Sequence, residues 1–440
     1  YINRLYLAKI VKNLREVINF FFILMSNFKE KILITFPALL ISLLPIFLVS
    51  GPFLSDLCVV LVCIFFLTNI FLNKEYNFFN NKFFIIFSIF FAYLVINSLI
   101  KFYDYNNIRS SVGYIRLGIF ALGVAYFIEK EKKLLKWVFL VFLICFIILI
   151  TDGYIQYFFK INIIGTPVDL PSGRIRFLFN DEYILGSFIS RLFPIFLGLS
   201  FIFFKKKKKK IIPISILFVF VEVLIFLSGE RTAFFYNTLA ALFIIIMINN
   251  FKKIRLITLL MSFFIIVLIS AYDDTAKKRV WDHTINQIGI NSSKLNIFSN
   301  IHQSHYLSAY RMFLDNKLMG VGIRNYRNFC HNPKYITHYY SCTTHPHNTY
   351  VQLLSETGII GFSFGLILFC YFVFKMFSHL KGALFKKQYL FNDFQICILA
   401  SILITIWPIA PSGNFFNNWL SIIYYYPIGF FLWTLKHKDH

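Results

Sequence analysis

Twelve mostly apolar stretches dominate this chain, at about 33–50, 57–73, 83–100, 112–128, 134–150, 184–204, 211–227, 232–249, 254–271, 348–376, 394–410 and 419–434. Each has about the length needed to cross some 30 Å of hydrocarbon as an α-helix. A soluble reading fails on composition. Of 440 residues, 58% are hydrophobic and only 15% charged, where globular chains carry about 25% charged residues and need them to cover a core. The expectation is an all-α, polytopic membrane protein of about twelve spans. The segment at 11–25 mixes Lys12, Arg15 and Glu16 with Phe20, Phe21 and Phe22, which predicts an interfacial amphipathic helix rather than a further span.

The net charge of +24 raises the question of nucleic acid, but the cations sit in short runs between apolar stretches, where topology explains them better. The loops at 73–82, 129–133, 205–210, 250–255, 377–388 and 435–440 carry nineteen Lys and Arg, whereas those at 51–56, 101–111, 228–231 and 411–418 carry three. Cationic loops stay in the cytoplasm, so both termini are expected there. Residues 1–32 then form a cytoplasmic or interfacial segment, and 33–271 hold spans one to nine with an outer loop at about 151–183. Residues 272–347 make a large periplasmic loop between the ninth and tenth spans, and 348–440 complete the chain. The first span can itself direct insertion. The lysine run 205–210 reads as a topology anchor that also meets anionic lipid.

Cys58, Cys63, Cys145, Cys370 and Cys397 fall in apolar spans, where a small buried hydrophobe is the plain reading. Cys330 and Cys342 fall in the large outer loop, where an oxidising compartment permits a disulfide and two free thiols are the alternative. No Gly-rich phosphate loop and no zinc-type spacing occurs. His345 and His347 flank a proline without a carboxylate pair beside them, so neither a metal nor a cofactor is expected.

The candidate chemistry lies where the large outer loop meets the tenth span, in Thr344-His345-Pro346-His347-Asn348-Thr349-Tyr350 through Gln352, Glu356, Gly358 and Gly361. From His347 the pattern is His-Asn, nine residues, Gly, two residues, Gly. It resembles the carboxy-terminal motif of the O-antigen ligase and polymerase superfamily, membrane glycosyltransferases that move a glycan from a polyprenyl diphosphate carrier. Tyr310-Arg311 and the following Gly320-Val321-Gly322 are similar to the family's upstream segment, and Ser228-Gly229-Glu230-Arg231 is a weaker echo.

The resemblance implies that His347 activates or orients the acceptor hydroxyl, in keeping with a neutral imidazole near pH 7. It implies that Arg231 binds the donor diphosphate, whose geometry suits a guanidinium; the alternative is a snorkelling boundary Arg. A basic residue of the other outer loop would join it, Arg174 first, with Arg176 kept open. His345, Asn348, Glu356, Arg311 and Arg191 are secondary candidates. With these charges the transfer needs no metal.

Arg191 and Glu222 sit at matching depth on consecutive spans, which predicts an ion pair that either locks two helices or serves the donor. Arg116 snorkels or reaches a lipid phosphate. Gln352 and Glu356 share a helical face, and Gly361 with Gly365 reads as a close-packing seam. At 299–316, Ile301, Leu307, Tyr310 and Phe313 alternate with polar residues, as in a helix lying on the membrane or over the site.

The expectation is therefore a bacterial inner-membrane, metal-independent glycosyltransferase of O-antigen ligase type. It would act at the periplasmic face on a polyprenyl-diphosphate-linked glycan, with lipid A-core as acceptor and membrane lipid as further partner, and no nucleic acid. The nearest alternative is a repeat-unit polymerase with a glycan acceptor. In a different class, a polysaccharide transporter is disfavoured because transporters place polar groups deep along repeated spans.

Overall fold

The computed structural model describes residues 31–168, 174–175, 179, 182–205, 211–288, 298–386 and 388–436. The expected helix at 11–25, Arg176 and most of the lysine run lie outside the described residues. Among the described residues the chain is helical without a named strand, as a bilayer-spanning chain requires when every backbone group must be bonded internally.

Each of the twelve apolar stretches forms a helix. They are α1 Phe36–Ser50, α2 Pro52–Asn73, α3 Lys82–Ile100, α5 Ile115–Lys130, α6 Leu134–Phe159, α7 Leu185–Phe204, α8 Ile211–Leu227, α9 Arg231–Met247, α10 Lys252–Tyr272, α12 Thr349–Lys381, α13 Asp393–Thr405 and α14 Asn418–Lys436. Among the described residues, two further helices of more than two turns lie between them, α4 Tyr105–Gly113 and α11 Asn300–Asp315, with shorter turns of helix besides. Among the described residues, eight helical segments are long and apolar enough to cross a membrane, and α8, α9 and α13 are shorter apolar helices. The protein is a multi-pass membrane protein.

Two boundaries differ from expectation. α6 continues to Phe159, so the loop expected from 151 begins at 160; the helix persists because Asp152 turns inward, where it accepts the Ile163 N–H at 2.7 Å. The segment 101–111, expected as a plain loop, folds largely into α4, started by a capping box between Asp104 and Asn107.

The centre of the bundle is made by α5 and α7, which are buried on almost every face, packed against α14 and α13 respectively. The periphery is apolar instead of polar: on α10, Leu260, Phe263 and Phe264 are more than half exposed. That is the inverse of a soluble protein and the arrangement a lipid solvent selects.

The expected Arg191–Glu222 pair does not form. Glu222 is bound by Arg255 and by Ser262 Oγ (2.6 Å), all three buried. Arg255 was counted as a loop cation, but it lies on the first turn of α10 and reaches inward, because α8 and α10 pack side by side while Arg191 faces α9. Arg191 stands over the Tyr236 ring (5.1 Å) and donates to the Ser187 carbonyl at 3.1 Å. Arg116 is held by Asp56 at 2.8 Å rather than free to snorkel.

Candidate functional site

The tenth span is broken. Gly358 interrupts α12 at φ +65°, a conformation that favours glycine. The arm 349–357 then folds back along the span that follows, with Tyr350 meeting Phe362 and Phe369 at ring-centroid distances of 6.1 and 6.4 Å. A straight helix would hold Tyr350 and Phe369 about 28 Å apart. His347, expected at the outer mouth of the span, instead stands at the far end of this arm, before its Asn348 cap, with the whole folded-back helix between it and the Gly358 turn.

The fold-back is held by a backbone crossing. Val321 N–H donates to the Ser355 carbonyl, Gly322 N–H to that of Glu356 and Ile359 N–H to that of Lys317, each at 2.9 Å. A Cβ on Gly320 would lie 2.6 Å from the Ser355 carbonyl oxygen, so the Gly-x-Gly segment is needed for two chains to cross. Gly365 faces Leu353 and Tyr350 of the folded-back arm, and Gly361 faces Tyr93 of α3. The expected seam thus receives the chain's own arm and a neighbouring helix.

Four histidines gather at the base of this arm. His347 adopts φ +56°, and its ring centroid lies 4.1 Å from His345, 5.3 Å from His305 and 5.7 Å from His302. Burial, followed by repulsion from the other three imidazoles, holds His347 down to about 3. Burial likewise lowers His345 and His302 to about 4 and pushes His305 down. All four are neutral at physiological pH, which suits proton acceptance.

His302 and His305 come from α11, whose buried face is Ser304, His305, Ser308, Ala309 and Met312. The apolar residues Ile301, Leu307 and Tyr310, which suggested the face turned toward membrane or site, are exposed and turn outward. The three-residue spacing of His302 and His305, one face of the helix, was the signal that could have marked them.

A cationic group adjoins the histidines. Gly229 turns the chain at φ +70°, and the side chains of Arg174 and Arg279 flank it, each within 3.3 Å of where a Cβ would stand. Arg231 opens α9 and donates to Gln287 at 2.9 Å, and Arg279 donates to the Gly229 carbonyl at 3.3 Å. Arg174 stacks on Tyr183 (4.4 Å); burial lowers its pKa, Glu230 opposes that, and Arg279 and Arg231 add to it. Arg231 in turn contributes to lowering His302, so the two groups are electrostatic neighbours. Glu230 accepts from the Gly186 and Ser187 N–H groups at 2.6 and 3.1 Å, supplying the start of α7 with the cap its own Ile184 lacks. Arg279 was not recognised in the sequence because it lies in a Lys-Lys-Arg run of a long loop.

The secondary candidates separate. Asn348 caps the folded-back arm and donates to the Pro408 carbonyl at 2.8 Å, a framework role. Buried Glu356 accepts from Tyr326 N–H (3.2 Å) and Gln352 (3.0 Å), locking the crossing instead of facing the histidines. Arg311 is exposed on the far side of α11 and donates to the Ile336 carbonyl at 3.0 Å, away from the cluster. Cys330 and Cys342 are joined as a disulfide, with Cα atoms 5.0 Å apart, which steadies the segment leading to His345. A large apolar crevice, about 1660 Å³, runs along α3, α12, α13 and α14, with Thr349 and Tyr350 of the folded-back arm in its wall.

Together these features define a helical multi-pass membrane protein with neutral imidazoles beside clustered guanidiniums. Residues 214–366 match the family described as O-antigen ligase, which supports membership of the O-antigen ligase superfamily. The matched region includes Arg231, Arg279 and all four histidines of the cluster, and leaves out Arg174 and Arg191. No match is found among curated proteins.

Proposed function

We propose that the protein is an O-antigen ligase of the bacterial inner membrane, transferring a glycan from a polyprenyl diphosphate carrier to lipid A-core at the periplasmic face without a metal ion. The observation that carries this reading is the adjacency of a neutral histidine cluster to Arg174, Arg231 and Arg279. The guanidiniums would grip the donor diphosphate. His347 would take the proton of the acceptor hydroxyl as the acceptor oxygen bonds the anomeric carbon and the carbon–oxygen bond to the diphosphate breaks. The negative charge left on the carrier diphosphate is stabilised by the fixed positive charges.

A basicity as low as that of His347 in the unliganded protein is no obstacle. A bound diphosphate brings negative charge to the site and favours the imidazolium, raising the pKa as substrate arrives. His345 and His305 would orient the ring. Arg191, buried over Tyr236, adds positive charge beneath the group. The apolar crevice that includes Thr349 and Tyr350 in its wall suits the hydrocarbon chain of a lipid substrate.

The test is a reconstituted assay with labelled polyprenyl diphosphate glycan, with and without lipid A-core. Product requiring both lipid A-core and His347, lost in His347→Ala while the protein still folds, is the expected result; full activity of that variant refutes the assignment. A ladder of longer carrier-linked glycans formed without lipid A-core would instead identify a polymerase.

A further inference from the structure

A second polar cavity, about 310 Å³, lies apart from the histidine site at the ends of α2 and α5 opposite the lysine-rich loops, with Asp56, Asn106, Arg109, Ser110, Arg116 and Arg324 in its wall. Its lining carries three guanidiniums against one carboxylate, a net charge of +2. Asp56 is engaged by Arg116 at 2.8 Å, while Arg324 donates to Ser110 Oγ at 3.0 Å. Arg109 stands exposed at the rim. The nearest other carboxylates are committed elsewhere: Asp104 caps α4, and Glu356 accepts from Tyr326 and Gln352.

The backbone aims Arg324 into this cavity. The residue sits at φ +58°, an uncommon conformation for a side chain other than Gly, Asn or Asp, which persists only where the surroundings over-determine it. Here they do. Asn107 donates to the Ile323 carbonyl at 2.6 Å, and Gly322 N–H donates to the Glu356 carbonyl at 2.9 Å. The rim also marks a level in the bilayer: Phe102, Tyr103 and Tyr105 are more than half exposed beside it, as in the aromatic belts found at lipid head groups.

We propose that this cavity is a second anion site that holds the phosphomonoester head group of a lipid, separate from the diphosphate site around Gly229. A phosphomonoester carries about −1.5 to −2 near pH 7, matching the excess of the lining. Planar guanidiniums bind phosphate oxygens in pairs, and the volume is near the lower end, about 300 Å³, of small-molecule sites. The inference does not depend on the transfer reaction.

The test is lipid retention by the full chain in nanodiscs, read by native mass spectrometry, with phosphatidic acid as the probe, phosphatidylcholine as the uncharged control and inorganic phosphate as competitor. One phosphatidic acid should be held in preference to phosphatidylcholine, with inorganic phosphate competing weakly. Arg109→Gln/Arg324→Gln should weaken retention about tenfold or more, since each removes a charged hydrogen-bond donor, and Lys334→Gln should leave it unchanged. Equal retention by wild type and the double variant would overturn the site, as would an equal loss in Lys334→Gln. Inorganic phosphate competing as well as the lipid would overturn the lipid assignment. Should the double variant fail to fold, Arg109→Gln alone, whose exposed side chain makes no hydrogen bond or ion pair among the described residues, decides by the same comparison.

Discussion

His347 draws its character from neighbours that no local motif contains. His302 and His305 lie more than forty residues upstream, yet their rings sit within 6 Å of it. Because burial lowers His302 and His345 from 6.5 to about 4 and His347 to about 3, the unfolded chain binds more protons than the folded one between those values. Stability is then complete above about pH 6.5 and falls as the pH drops toward 4. Thermal unfolding at constant ionic strength should show a falling Tm from pH 7.5 to 5, with a smaller fall in His302→Gln. The acid limb of kcat/KM should lie below the pH at which an ordinary imidazole titrates. Among the cations, Arg279→Gln should lower kcat/KM about 100-fold by removing a fixed charge from the site proposed to hold the leaving diphosphate, measured in the reconstituted assay. Arg311→Gln should leave the rate unchanged, because its guanidinium is spent on the Ile336 carbonyl. Of the cationic residues, Arg231 was legible because it stands alone in a very short loop, whereas Arg279 was hidden in a basic run that topology already explained.

The decisive element is the broken tenth span. Hydropathy runs on through Gly358, since both arms are apolar enough to be buried, so the sequence reads as one helix. The break becomes visible only with the crossing segment at 317–322, which occupies the space a side chain would need. Gly358→Ala should therefore destabilise the protein and abolish transfer, because its Cβ would meet the Leu318 carbonyl, in addition to about 1–3 kcal/mol for holding a side chain at φ +65°, ψ −167°, a region essentially confined to glycine. Gly365→Ala, whose Cβ would stand 3.2 Å from the flexible end of Leu353, should retain most of its stability, as thermal unfolding of the two variants would show. A second correction at this scale is the buried pair of Glu222 with Arg255. Glu222→Ala should cost about 3–5 kcal/mol by leaving a buried guanidinium without its partner, while replacing both residues by Met should cost far less. A double-mutant cycle measures the difference.

At the scale of the whole molecule, the alternation of cationic loops predicts which side of the bilayer each helix end occupies. Tyr339, 90% exposed in the large loop, and Phe385, 80% exposed near the lysine-rich end, should respond oppositely to a membrane-impermeant thiol reagent applied to intact cells. Tyr339→Cys should be labelled and Phe385→Cys protected; the reverse would invert the topology. Span length, apolar composition and loop charge are local properties, and solvation by lipid acts on each segment almost independently, so the helices and the His347 motif could be read from the sequence, and the loop charges predict a sidedness. Which charges meet is not local. Arg191 and Glu222 lie at similar depth, but their azimuths around the helices decide that Glu222 takes Arg255 and that Arg191 rests on Tyr236. Tertiary packing likewise decided the fold-back at Gly358 and the convergence of His302, His305 and Arg279 on the site. Each depends on contacts between segments far apart in the chain, whose energies no short window of sequence contains.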